Sequence, residues 1–146
     1  LPEGLEAGTP NVPGVAGLGA GLEDVLAAGA ADRPSDHWST AMARARQLRD
    51  GLAASGCFVT PEVDSWGVPV VAGNIADRTG GVLDSAEAAD ALAERGIAVR
   101  GGFHCAPLLH RRYGTASGMV RFSPSHLTTA AEIEATVEAV AAIASR

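Results

Sequence analysis

The 146-residue sequence contains no lysine: all 11 basic residues are arginines. A mechanism that needs a lysine Schiff base cannot be completed by these residues alone. Cysteine is scarce. Cys57 and Cys105 are the two present, far apart and outside any CxxC pattern. No disulfide framework is expected, and the reading is a reducing, cytoplasmic setting. Clustered cations are missing as well. The net charge is -6, and phosphate binding needs basic patches, so no nucleic-acid partner is expected. No apolar run approaches the roughly 20 residues of a membrane span. Residues 1–10 carry Pro2, Glu3 and Glu6 and no basic residue, which does not read as a secretory leader.

What is there suits one globular domain. The chain is 47% hydrophobic and 19% charged, with enough length to bury a core. The opening LPEGLEAGTPNVPG reads as extended loop, with Thr9 or Asn11 as a helix cap and Pro13 in the first turn. Residues 14–29 carry Val15, Leu18, Leu22, Val25 and Leu26 at helical spacing. Four glycines in that stretch cost about 1 kcal/mol each in helix propensity, which points to close backbone packing. Residues 30–36 break the chain, with Ser35 or Asp36 capping a second helix over 37–54.

The period then changes. Residues 57–63 and 67–75 read as strands joined by a turn at 64–67, followed by a loop over 76–83. Ser85 begins a third helix that Gly96 closes. Residues 97–102 form a strand, 106–114 a short helix and 118–124 another strand. The last helix, 129–145, carries Ile133, Val137, Val140 and Ile143 on one face. Adjacent strands without crossovers imply an α+β fold: a short antiparallel or mixed sheet with helices on one face. The first 30 or so residues stand outside that pattern.

Cys57, at the head of an apolar strand, reads as a buried small hydrophobe. Cys105 differs. It lies between Gly101-Gly102 and a helix opened by Pro107, with Arg100, His104, Arg111 and Arg112 near in sequence. Cations and a helix start favour the thiolate, so Cys105 is either an activated thiol or a structural one. A metal held by His104, Cys105 and His110, with His126 or His37, is the rival, but the spacings fit no standard zinc pattern and no metal is expected. Arg121 sits inside the apolar run MVRFS. It either grips a carboxylate bidentately or lies on an exposed edge strand. The run GVAGLGAG is not GxGxxG and follows no strand, so a dinucleotide site is set aside.

Three strings, LEAGTPNVPGVAGLGAGL, GIAVRGGFHCAPLLHRRYG and GMVRFSPSHLTTAAEIEATVEAV, resemble the C-terminal part of class V aminotransferases. The resemblance is to the branch of cysteine desulfurases and selenocysteine lyases, and is weaker over residues 30–70. It implies the small C-terminal domain of a fold-type I pyridoxal phosphate (PLP) enzyme over 36–146, with a large-domain remnant over 1–35. It implies that Thr9 and Gly8 are cofactor-binding, with Thr9 reaching the PLP phosphate of the neighbouring subunit, and hence a homodimer or a complex with a lysine-bearing large domain. Cys105 matches the nucleophile that takes sulfur from a cysteine-like substrate as a persulfide. Arg121 matches the arginine for the substrate carboxylate, and Arg100 and His104, in the motif of Cys105, are expected to be substrate-binding as well, the role of Arg100 being less specific. Asn74 matches a family asparagine without an assigned role. In that family the PLP lysine precedes the GTPN segment, so the chain by itself is expected to be inactive. Two other readings stay open: a non-enzymatic sulfur-acceptor or partner-binding domain, and a class V aminotransferase or lyase remnant with another substrate.

Overall fold

The computed structural model describes residues 8–28, 36–62 and 66–145, with Ala28 and Asp36 described by backbone alone. The opening loop before Gly8, the break before α2 with its candidate cap Ser35, and Val63, Asp64 and Ser65 of the expected strand and turn lie outside the described residues. The chain divides into two compact units, Leu1–His37 and Trp38–Arg146.

In the first unit, helix α1 spans Val12–Ala28. Asn11 caps it, its Oδ1 accepting from the Gly14 N–H at 3.1 Å. The apolar residues read at helical spacing are all at least half exposed, from Leu22 at 53% to Leu26 at 73%.

The second unit is built on α2 (Asp36–Ser55), β1 (Phe58–Val59), β2 (Val71–Ile75), α3 (Ser85–Ala93), β3 (Arg100–Gly102), α4 (Pro107–Tyr113), β4 (Met119–Phe122) and α5 (Ala130–Ala144). Local chemistry sets these limits. Gly56, at φ +67°, ends α2. Asp84 caps α3 by accepting from the Ala86 and Glu87 N–H groups. Pro107 opens α4, and left-handed Gly114 closes it. Thr129 and Glu132 form a reciprocal capping box at the start of α5.

The four strands form one sheet in the order β1-β2-β4-β3, and every pairing is antiparallel. The strands are shorter than the apolar runs suggest. The run 57–63 pairs only at Phe58–Val59, because Pro61 has no N–H to give a ladder. The run 67–75 pairs from Val71. Pro69 interrupts it, and the Trp66 indole N–H donates to the Val70 carbonyl at 2.8 Å. The run 97–102 pairs from Arg100. β4 lies between β2 and β3, so Arg121 is on an interior strand and the edge-strand reading is corrected.

Register sorts side chains onto two faces, because successive residues of a strand point to opposite sides. Val71 faces Phe122 and Gly73 faces Val120 across β2 and β4. Val71, Val120, Phe122 and Ile75 join Leu48, Leu52, Ala88, Leu92, Ile133, Val140 and Ile143 of the helices in one core. Glycine is required where this face is tightest. A Cβ on Gly101 would strike the Ser85 carbonyl, and one on Gly73 would strike Val59 and the Phe58 ring. The other face carries Ala72, Asn74, Arg121 and Arg100.

Candidate functional site

The second face is polar because its register is. Arg100 lies directly opposite Arg121 across β3 and β4, and Ala72 lies opposite Arg121 on the other side. Two like charges side by side on a sheet repel. Among the described residues, no carboxylate pairs with either one. The Arg121 Nε is buried and without a hydrogen-bond partner, as is Oδ1 of Asn74, a residue only 7% exposed. Buried polar groups are nearly always bonded, so each unpartnered one asks for an explanation.

Cys105 stands at the end of β3, on a four-residue turn. The Ala106 N–H donates to the Phe103 carbonyl at 2.8 Å. The two residues inside the turn, His104 and Cys105, have φ of 50° and 62°. That is the mirror-image turn that Asn-Gly usually occupies. A His-Cys pair there carries backbone strain, and such strain gathers at functional sites. The result is an exposed thiol. α4 follows directly, opened by Pro107.

The base of the turn is anchored from two directions. Ser85, 1% exposed, accepts from the Gly102 N–H at 3.1 Å, and its hydroxyl donates to the Ser117 carbonyl. The first residue of α3 therefore ties the end of β3 to the approach to β4. Gly102, at φ +108°, and Gly118 come so close that a Cβ on Gly118 would overlap the Gly102 backbone. His104 supplies the second anchor. Its Nε2 donates to the Met119 carbonyl at 3.0 Å, since a carbonyl can only accept. Burial holds the His104 pKa below its ordinary value, and the charges of Arg121, His110 and Arg100 lower it further. The ring is therefore neutral near pH 7, and its unpartnered Nδ1 is an acceptor.

His110 is a core residue, 4% exposed, with Nδ1 hydrogen-bonded to the Thr115 hydroxyl at 2.8 Å. The Phe103 ring meets it edge-on at 5.4 Å and the His104 ring lies 6.0 Å away. Among the described residues, His104, Cys105 and His110 do not gather into a metal-binding group. Cys57 is half-buried against the core, its thiol 3.3 Å from the Ser55 carbonyl.

The structure thus brings together Arg100, His104 and Arg121, with Cys105 on the turn beside them. Gly8 and Thr9 belong to the other unit, where both are exposed and Gly8 has φ +110°. Two features escape a reading by residue type: the Ser85 anchor and the unpartnered Asn74 oxygen. An asparagine inside an apolar strand is the one trace of the latter in the sequence.

Comparison with known proteins settles the family. The family model described as Aminotransferase class-V matches residues 1–136. The chain belongs to the class-V aminotransferase family. Within it, the similarity is to the cysteine desulfurase branch. The chain is 35% identical over 139 residues to cysteine desulfurase CsdA of Escherichia coli strain K12, covering 93% of this chain and 31% of that protein. It is 33% identical over 130 residues to a cysteine desulfurase of Pectobacterium atrosepticum, covering 89% of this chain and 29% of that one. The apo structure of a cysteine desulfurase from Thermococcus onnurineus NA1 superposes with a TM-score of 0.75 at 25% identity, covering 95% of this chain and 32% of that one. The chain spans about a third of the length of the class-V relatives it matches. The class-V match and this superposition give the α+β fold its place among fold-type I enzymes.

Proposed function

We propose that the chain forms the C-terminal, substrate-side portion of a cysteine desulfurase-like site, in which Cys105 accepts sulfur as a persulfide. The observation that carries this reading is the exposed thiol on a strained His-Cys turn next to two arginines without carboxylate partners. Arg121, with Arg100 beside it, suits the α-carboxylate of an amino acid. The Cys105 sulfur attacks the sulfur of a cysteine-like substrate. An S–S bond forms as the C–S bond breaks, and the bonding pair stays on the carbon, which takes up a proton to become the methyl group of alanine. No outside oxidant enters. His104, neutral and fixed through Met119, holds the turn and offers Nδ1 as an acceptor to a donor on the substrate.

PLP, the cofactor of this family, supplies the electron sink when bound. The residues present fit one side of such a site. Exposed Thr9 and Gly8 are suited to the phosphate, and the Arg121 guanidinium is suited to a carboxylate. The sequence offers no lysine, so the covalent anchor comes from a large domain that residues 1–35 belong to and residues 36–146 complete. A homodimer, or a complex with a lysine-bearing large domain, brings Thr9 to the phosphate. Free thiols at Cys57 and Cys105 suit a reducing cytoplasm. No described helix is long and apolar enough to cross a membrane.

The test is reconstitution. The 146-residue chain is mixed with a lysine-bearing large domain, PLP and cysteine, with alanine and sulfide as readouts. We expect no turnover from the chain alone. The mixture should release alanine and leave one extra sulfur atom on Cys105 by mass spectrometry. Sulfide release at the full rate in Cys105→Ala would show that the thiol is not the acceptor. Transamination instead of alanine release would assign another class V reaction.

A further inference from the structure

We propose that Ser85 is a positioning residue for Cys105: its hydroxyl clamps the base of the turn and so sets where the thiol stands relative to β4, the strand that carries Arg121. Both roles of the hydroxyl are taken. It accepts from the Gly102 N–H at 3.1 Å and donates to the Ser117 carbonyl. One oxygen, on a residue 1% exposed, thereby joins the last residue of β3 to the approach to β4. The anchor itself is firmly held. Ser85 is the first residue of α3, Asp84 caps that helix, and Ala88 and Leu92 of the same helix are wholly buried in the core.

The clamp is needed because of what precedes the thiol. Gly101 and Gly102 are the two residues before the turn, and glycine rotates about its backbone bonds more freely than any other residue. Left alone, the turn would swing on this pair. Its own conformation gives no resistance. His104 and Cys105 have φ of 50° and 62°, a strained state that persists only where the surroundings hold it. The His104 ring holds the turn from within, through the Met119 carbonyl. Ser85 holds it at the base, through Gly102, whose partner across the ladder is the same Met119. There is no slack between α3 and β3, since a Cβ on Gly101 would strike the Ser85 carbonyl. A thiol that attacks a sulfur atom needs its approach fixed, and a misplacement of about 1 Å can cost about a hundredfold in rate. That rate consequence rests on the sulfur-acceptor role of Cys105 proposed above; the clamp itself does not.

The experiment has two arms. In the first, amide exchange is followed by NMR in the 146-residue chain. In Ser85→Ala the Gly102 N–H loses its acceptor. The Ala106 N–H, which closes the turn on the Phe103 carbonyl, should be freed with it. Both should exchange about tenfold faster or more, measured against the amides of the wholly buried Leu92 and Val140. Ser85→Thr keeps the hydroxyl and should hold both near their original rates. Faster exchange at Gly102 with Ala106 unchanged overturns the proposal, as does a rise no larger than that of the core amides. If Ser85→Ala does not fold, the unsubstituted chain decides. Gly102 and Ala106 should then open together as denaturant is added, and separate openings overturn the proposal. In the second arm, the reconstituted enzyme is given cysteine in a single turnover. In Ser85→Ala the extra sulfur atom should appear on Cys105 about tenfold more slowly, with the half-saturating cysteine concentration within about twofold. Ser85→Thr should restore the rate, and an unchanged rate in Ser85→Ala overturns the positioning role. Full alanine release in Cys105→Ala would remove the sulfur-acceptor reading and not the clamp, which the first arm decides.

Discussion

The two faces of the sheet are made from the same strands and solve opposite problems. On the helix side, Val71, Ile75, Val120 and Phe122 are buried against α2, α3 and α5. Contact there is so close that Gly73 and Gly101 admit no side chain. On the other side, one residue along each strand, stand Ala72, Asn74, Arg121 and Arg100, with buried polar atoms that lack partners. A period of two separates the face that packs on the helices from the face that carries the proposed site. Stability belongs to the first, and the second is kept polar at some expense to it.

Substitutions should separate the faces by magnitude. Leu92→Ala removes a side chain with 0% exposure from the core and should lower unfolding free energy by about 2–5 kcal/mol in chemical denaturation. An effect below 1 kcal/mol would mean the helix side is not the stabilising face. Gly101→Ala pushes a methyl into the Ser85 carbonyl and should cost about 1–3 kcal/mol. It should also disturb the Cys105 turn, because Ser85 anchors Gly102, so it links the two faces. Thr129→Ala opens the capping box of α5, at about 1 kcal/mol and with sulfur transfer unchanged.

On the polar face the sign changes. Arg121→Met should leave stability within about 1 kcal/mol or raise it, since an unpartnered buried donor is removed, while sulfur transfer is lost. A large destabilisation would place Arg121 in the structural set. The smallest effect is a pH dependence. His104 binds a proton less readily folded than unfolded. As pH falls below the ordinary value of 6.5, the unfolded chain is protonated first. Stability is thus complete above that value and declines as pH drops toward the lowered folded pKa. Denaturation midpoints measured across that window should slope less in His104→Gln.

Much of this arrangement is legible in the residues. Helical spacing and the glycines at 56, 96 and 114 mark the ends of α2, α3 and α4 closely, because a left-handed terminus favours glycine. Strand ends were less legible. Pro61 and Pro69 stand inside apolar runs, and an apolar run does not say how many of its N–H groups find a ladder partner. Cys105 and Arg121 stood out by type and setting. Ser85 did not, since it reads as an ordinary helix start. Its second role depends on Gly102 and Ser117, which are 17 and 32 residues away.

By itself the sequence determined the element order, the α+β class, the family and the candidates Arg100, His104, Cys105 and Arg121, all of which depend on local pattern and residue chemistry. It also shows that these 146 residues hold no lysine. Only the tertiary structure decided that β4 is interior, that Arg100 and Arg121 stand opposite one another, and that Asn74 shares their face. Register between strands far apart in the chain sets those neighbours, and register is a property of pairing that no single segment contains.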